Sequence, residues 1–94
     1  MFVVTVVFDV EPGEGAAFLA RVQQQARDSL EKEPDCHRFD VSVCTKMAER
    51  VLLYEIYENA DAFTAHLDSD HFKAFDRDVA PIIRSKDVQS WALT

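Results

Sequence analysis

Glycine, proline and cysteine are scarce in this 94-residue chain, which has two, three and two of them respectively. Two glycines cannot supply the pattern of a dinucleotide-binding turn, and no Cys/His spacing of a structural zinc site is present. Cys36 and Cys44 share one segment with strand character, where eight residues at roughly 3.3 Å each hold them roughly 26 Å apart. A disulfide needs roughly 4.4–6.8 Å between Cα atoms, so both are expected as reduced thiols.

Positive charge is also short. Ten Lys and Arg stand against seventeen Asp and Glu, for a formal charge of −7. Such a surface repels phosphate backbones and anionic lipid, which argues against nucleic acid and membrane surfaces as partners. No apolar run approaches the roughly 20 residues that cross a bilayer, and the start of the chain, Met1 to Asp9, carries neither a basic leader nor a small-residue cleavage site. A cytoplasmic protein is expected.

What the chain does have is apolar material, 48% of its residues, in a length that makes one domain, 1–94. A domain this short hides only roughly 60–65% of its unfolded surface, so association is a natural supplement. Phe2 to Val10 reads as a strand with apolar side chains on both parities, one to be covered on both faces. Glu11-Pro12-Gly13-Glu14 turns into a helix over about Glu14 to Glu33, with Phe18, Leu19, Val22, Ala26 and Leu30 as its stripe and Pro34 as its stop. Cys36 to Cys44 alternates, with His37, Phe39, Val41 and Val43 on one face and Arg38, Asp40 and Ser42 on the other, as in an edge strand.

Val51 to Glu58 is again apolar on both parities, a central strand with Glu55 planted in it. Asn59 is placed to cap a short helix through Leu67, and Ser69 or Asp68 a second from about Asp70 to Arg84, kinked near Pro81. Val88 to Thr94 closes as a strand. The order is βαββααβ, and right-handed crossovers put both helical regions on one side of the sheet. The other side needs a second surface, and an identical subunit supplies it most simply, so a homodimer is expected.

The segment from Tyr54 to Phe72 gathers the titratable candidates. Histidine changes charge near physiological pH, and His66 lies on the stripe Phe63, His66, Leu67 that faces the sheet, either as a packed core histidine or as a proton-transfer group. Glu55 is either a structural ion-pair partner or a pocket acid. His71 follows His66 by about 140° of helix turn, so the two do not form one metal-binding face. Around them, Phe39, Tyr57, Phe72 and Phe75 are candidate ligand-contacting residues beside their packing duty, Trp91 a core or interface aromatic, His37 a residue that packs or lines the cavity, and Arg38 a solvated cation or an anchor for a substrate anion.

Four fragments in order carry a resemblance: V-V-x-V-x-F-x-V-x-P-G from Val3 to Gly13, E-P-x-C-x-R-F-x-V from Glu33 to Val41, L-Y-E-x-Y-E from Leu53 to Glu58, and A-F-x-x-H-x-x-S-x-H-F from Ala62 to Phe72. Over nearly its whole length the chain resembles the antibiotic biosynthesis monooxygenase domains, with Asp35 where relatives commonly carry Gly. The resemblance implies an α+β, ferredoxin-like βαββααβ fold pairing into a dimeric α+β barrel. It further implies oxygenation of a quinol or polyphenol by dioxygen with no flavin, haem or metal cofactor, and His66, Glu55 and His71 as the catalytic candidates. Within the same family an isomerase of a phosphorylated diketone signalling molecule is the alternative, with Arg38, Lys73 and Arg77 as the cations for its phosphate. Haem degradation lacks its axial histidine, since Asp76 or Asp78 stands in the corresponding place. A ligand-binding dimer without turnover would use the same pocket-lining residues.

Overall fold

The computed structural model describes residues 1–94. Strand β1 (Phe2–Val10) leads through a turn to helix α1 (Gly15–Lys32). Strands β2 (Cys36–Val43) and β3 (Arg50–Tyr57) follow, then helices α2 (Ala60–Leu67) and α3 (Asp70–Val79), a single 3₁₀ turn (Ala80–Ile82), and β4 (Ile83–Ala92). All pairings are antiparallel in the order β2-β3-β1-β4, so the two strands that are apolar on both faces are the central ones.

Both glycines are required where they stand. Gly13 turns the chain at φ 84°, in the left-handed region, and a Cβ on Gly15 would lie 2.8 Å from the carbonyl oxygen of Ala48, where α1 starts against the β2–β3 loop. The caps of α2 and α3 form as the sequence implies: Asn59 Oδ1 accepts from the Ala62 N–H at 2.8 Å, and Ser69 Oγ from the Phe72 N–H at 3.2 Å.

The core lies between one sheet face and the helices. Val4, Val6, Phe8 and Val10 of β1 meet Phe18 and Val22 of α1, Leu53 and Tyr57 of β3, and Phe75 and Val79 of α3. On α1 the buried set is Phe18, Val22, Gln25, Ala26 and Ser29, whereas Leu30 is exposed, a correction to the stripe expected from hydrophobicity. At roughly 100° per residue Gln25 and Ser29 fall within about 20° of Phe18 and Leu30 falls about 120° away. Geometry therefore selects two polar residues for the interior. Ser29 satisfies its hydroxyl on the Gln25 carbonyl at 2.8 Å.

Two further expectations are corrected. Helix α3 ends at Val79 rather than running to Arg84, because Pro81 has no N–H to donate and falls in the 3₁₀ turn instead. Strand β4 consequently starts at Ile83, five residues before Val88, and its register sets Lys86 opposite Phe8 and Val88 opposite Val6. In β2 the ladder slips between Cys36 and Arg38, so Cys36 and Phe39 both turn inward while His37 is carried to the surface.

The opposite sheet face is uncovered. Val7, Leu52, Tyr54, Ile56 and Trp91 stand there with their side chains partly or largely open, and the Trp91 indole donates to Thr5 Oγ1 at 2.9 Å.

Candidate functional site

A cavity of about 260 Å³ opens between the helices and the inner sheet face, lined by Val6, Phe8, Gln25, Phe39, Leu53, Glu55, Phe63, His66, Leu67, Phe72, Phe75, Lys86 and Val88. Nine of its thirteen lining residues are hydrophobic, so the buried polar groups on its wall, Gln25, Glu55 and His66, sit where charge is weakly screened.

His66 is 3% exposed and ringed by aromatics: Phe63 stacks on it at 6.0 Å and 15°, Phe72 stands at 5.1 Å, Tyr57 at 5.3 Å and Phe39 at 6.2 Å between ring centroids. The end of α1 fixes its tautomer. Glu33, in extended backbone just past the helix, sets Oε2 2.8 Å from His66 Nδ1, so an ionised Glu33 accepts from that nitrogen, and in the neutral ring Nε2 carries the lone pair. Carboxylate-held histidine with one free ring nitrogen is the arrangement of a general base.

His71 Nε2 lies 2.8 Å from the same Glu33 oxygen but off the hydrogen-bonding direction, while its Nδ1 faces Gln25 Oε1 at 3.3 Å. It stands behind the cavity wall, as a neighbour of Glu33. Tyr57 likewise stands behind the wall, donating its hydroxyl to Glu55 Oε1 at 2.5 Å.

Glu55 is buried in the middle of β3, and burial pushes its carboxyl up to about 7, opposed by the Tyr57 hydrogen bond and the His66 charge. Near neutral pH it is poised between donor and acceptor of a proton. The same environment pushes the Tyr57 phenol well above its usual range, through burial first and the Glu55 charge next, so Tyr57 stays a donor. Burial also lifts the Cys36 thiol to about 12, which leaves it an inert packing residue.

Of the candidates read from the sequence, Phe39, Glu55, His66, Phe72 and Phe75 meet in the cavity wall. His37 and Arg38 do not. The bulge sends His37 outward to Glu58 Oε2 at 2.6 Å, and Arg38 lies toward the uncovered face, bonded to Asp40 at 2.7 Å and 5.9 Å from the Tyr54 ring. Three residues that the structure brings to this region were not singled out from the sequence: Glu33, treated as a helix end, Gln25, assigned to no face of α1, and Lys86, placed outside β4. Lys86 projects its ammonium over the Phe8 and Phe72 rings, 5.6 Å from each centroid, and is the cavity's only lysine or arginine. No group of three or more His, Cys, Asp or Glu side chains is arranged to hold a metal ion, and no helix is long and apolar enough to cross a membrane.

A family model described as antibiotic biosynthesis monooxygenase matches residues 1–78. No curated protein matches the sequence. Among solved structures, a Nitrosomonas europaea protein provisionally named an antibiotic biosynthesis monooxygenase superposes with a TM-score of 0.93 at 23% identity, over 99% of this chain and 98% of that one. One from Caulobacter crescentus, named in the same way, superposes at 0.93 with 20% identity, over 99% and 89%. A Shewanella oneidensis protein superposes at 0.88 with 23% identity, over 96% and 87%. At these identities the structures speak for the fold, and the family model for the membership.

Proposed function

The chain belongs to the antibiotic biosynthesis monooxygenase family, and from that premise we propose that it oxygenates a quinol or polyphenol in the cavity walled by Phe39, Phe63 and Phe72, using dioxygen and no flavin, haem or metal. The observation that carries the reading is His66, tied at Nδ1 to Glu33 and set in the wall of an apolar cavity. Nε2 takes the phenolic proton, and the resulting phenolate is electron-rich enough to pass an electron to dioxygen held beside it. One oxygen atom is then delivered to the ring as a carbonyl and the other leaves as water, so a phenol and dioxygen become a quinone and water with all electrons drawn from the substrate. The aromatic wall keeps the partners together and limits water, while Glu55 moves the second proton.

The isomerase of a phosphorylated diketone draws less support. None of Arg38, Lys73 and Arg77 lines the cavity, and Lys73 is engaged with Asp68 at 3.1 Å. Oxygen consumption across a quinol panel, run beside a phosphorylated ketose panel, tests the choice: uptake with quinols supports the oxygenase, turnover of ketoses alone overturns it, and binding without turnover of either leaves a ligand-binding dimer. We further propose that the uncovered face, with Leu52 and Trp91 exposed, packs against a second copy. Sedimentation at micromolar concentration tests this, and a monomer there overturns it.

A further inference from the structure

Gln25 is 1% exposed, lines the cavity, and has one amide end engaged and the other free. Its Oε1 accepts from His71 Nδ1 at 3.3 Å, while Nε2 has no partner in the protein. A buried N–H without an acceptor is costly, and native interiors rarely keep one without a use. Its surroundings here are apolar: Val6, Phe8, Phe72 and Phe75 share the wall, and Ser29 is already committed to the Gln25 carbonyl.

We infer that Gln25 is a substrate-contacting residue, whose Nε2 donates a hydrogen bond to the ring oxygen that His66 deprotonates. The inference rests on the phenol reading above and deepens it. As the phenol O–H bond breaks, its proton passes to His66 Nε2 and the negative charge stays on oxygen. The imidazolium is balanced by Glu33 on its far side, and the oxyanion gains the Gln25 N–H, a donor that no acceptor in the protein occupies and that, sealed from water in the unliganded protein, turns to the cavity surface as the ligand enters. Hydrogen bonds to charged groups are stronger than those to neutral ones, so Gln25 favours the ionised ligand over the phenol. The site therefore selects ring compounds with an acidic hydroxyl over rings of the same shape that lack one. With the amide turned round, an oxygen would face the ligand and repel the anion, so the ionised probe separates the two orientations.

The test measures binding, without turnover, of para-nitrophenol across pH and of para-nitrotoluene as the ring without the hydroxyl. Ionisation of the bound phenol is read from its colour. Gln25→Met keeps the volume and removes the donor. It is expected to weaken the phenolate roughly tenfold to hundredfold and to move ionisation of the bound phenol to higher pH, with the toluene affinity unchanged. Gln25→Glu retains an acceptor for His71, replaces the donor with oxygen, and is expected to weaken the phenolate at least as much. Cooperative melting confirms that each variant is folded, and if the Met variant is not, Gln25→Glu decides. Equal loss of both probes, or no loss of the phenolate, overturns the role of Gln25 and leaves the phenol reading standing. Wild-type protein that binds neither probe overturns both.

Discussion

Two histidine–glutamate pairs in this protein have the same chemistry and nearly the same distance. His66 and Glu33 meet at 2.8 Å with side chains 3% and 15% exposed, and His37 and Glu58 meet at 2.6 Å with side chains 39% and 50% exposed. Water decides the difference between them. At the β2 bulge, solvent screens the charges and competes for every hydrogen bond, so the pair is worth little more than its separated halves. Behind the cavity little solvent competes for Glu33, and its hold on His66 Nδ1 persists, which leaves Nε2 as the ring nitrogen not engaged by Glu33. A His–Glu distance alone therefore identifies nothing, and burial with an adjoining cavity turns the same contact into a candidate base.

Substitution at the buried pair sharpens this contrast most. His66→Ala is expected to lower turnover of any accepted quinol roughly 10² to 10⁴-fold, the usual share of general acid–base catalysis. Rate per folded molecule and melting temperature should be measured together: a drop in melting temperature with an unchanged rate would make His66 a packing residue. Normal turnover by His66→Ala with loss in Glu55→Gln would pass the base to Glu55.

The next effect is on stability and arises from Glu55, whose carboxyl is raised from 4.5 to about 7 by burial. Between those values the folded protein binds more protons than the unfolded chain. Its contribution to stability is thus complete below pH 4.5 and falls as pH rises through 7, by on the order of 3 kcal/mol. Comparing denaturant midpoints of wild type and Glu55→Gln at about pH 5 and about pH 8 isolates it, because other carboxylates such as Asp9, held low by its hydrogen bond from Arg50, act in both proteins alike. Parallel pH profiles would show that Glu55 is not the group responsible.

Glu33→Gln should come third. It keeps the size of the side chain but removes the charge that steadies a protonated His66, and kcat is expected to fall roughly tenfold to hundredfold with KM little changed. An effect confined to KM would assign Glu33 to binding instead. Smallest of all, His37→Ala should leave turnover unchanged and shift stability by about 0.5 kcal/mol or less, with that shift fading in high salt. A loss of rate there would break the comparison, since it would tie the exposed pair to the cavity.

Much of the fold was legible in the residues. The double-sided apolar runs of Phe2 to Val10 and Val51 to Glu58 do become the two central strands, Asn59 and Ser69 do cap their helices, and the Phe63, His66, Leu67 stripe does turn His66 inward. These are local matters, because periodicity and capping report how a side chain projects from its own backbone. Gln25 was not read from the sequence: its angle on the α1 wheel is that of Phe18, but a stripe drawn by hydrophobicity passes over a polar residue.

The rest depended on contacts between distant segments. Glu33 and His66 are 33 positions apart in sequence and meet because the chain just past α1 comes against the last turn of α2. Lys86 reaches the cavity because Pro81 ends α3 early and starts β4 five residues sooner, a register that no alternation within Ile83–Ala92 reveals. His37 leaves it because one extra residue in β2 reverses which side chains point inward. The sequence by itself determined which elements form and which faces they bury, since those follow from short-range sterics and hydrophobic spacing. Only the tertiary structure decided which titratable groups share a cavity, since strand register and helix crossing bring them within 3 Å of one another or expose them to water.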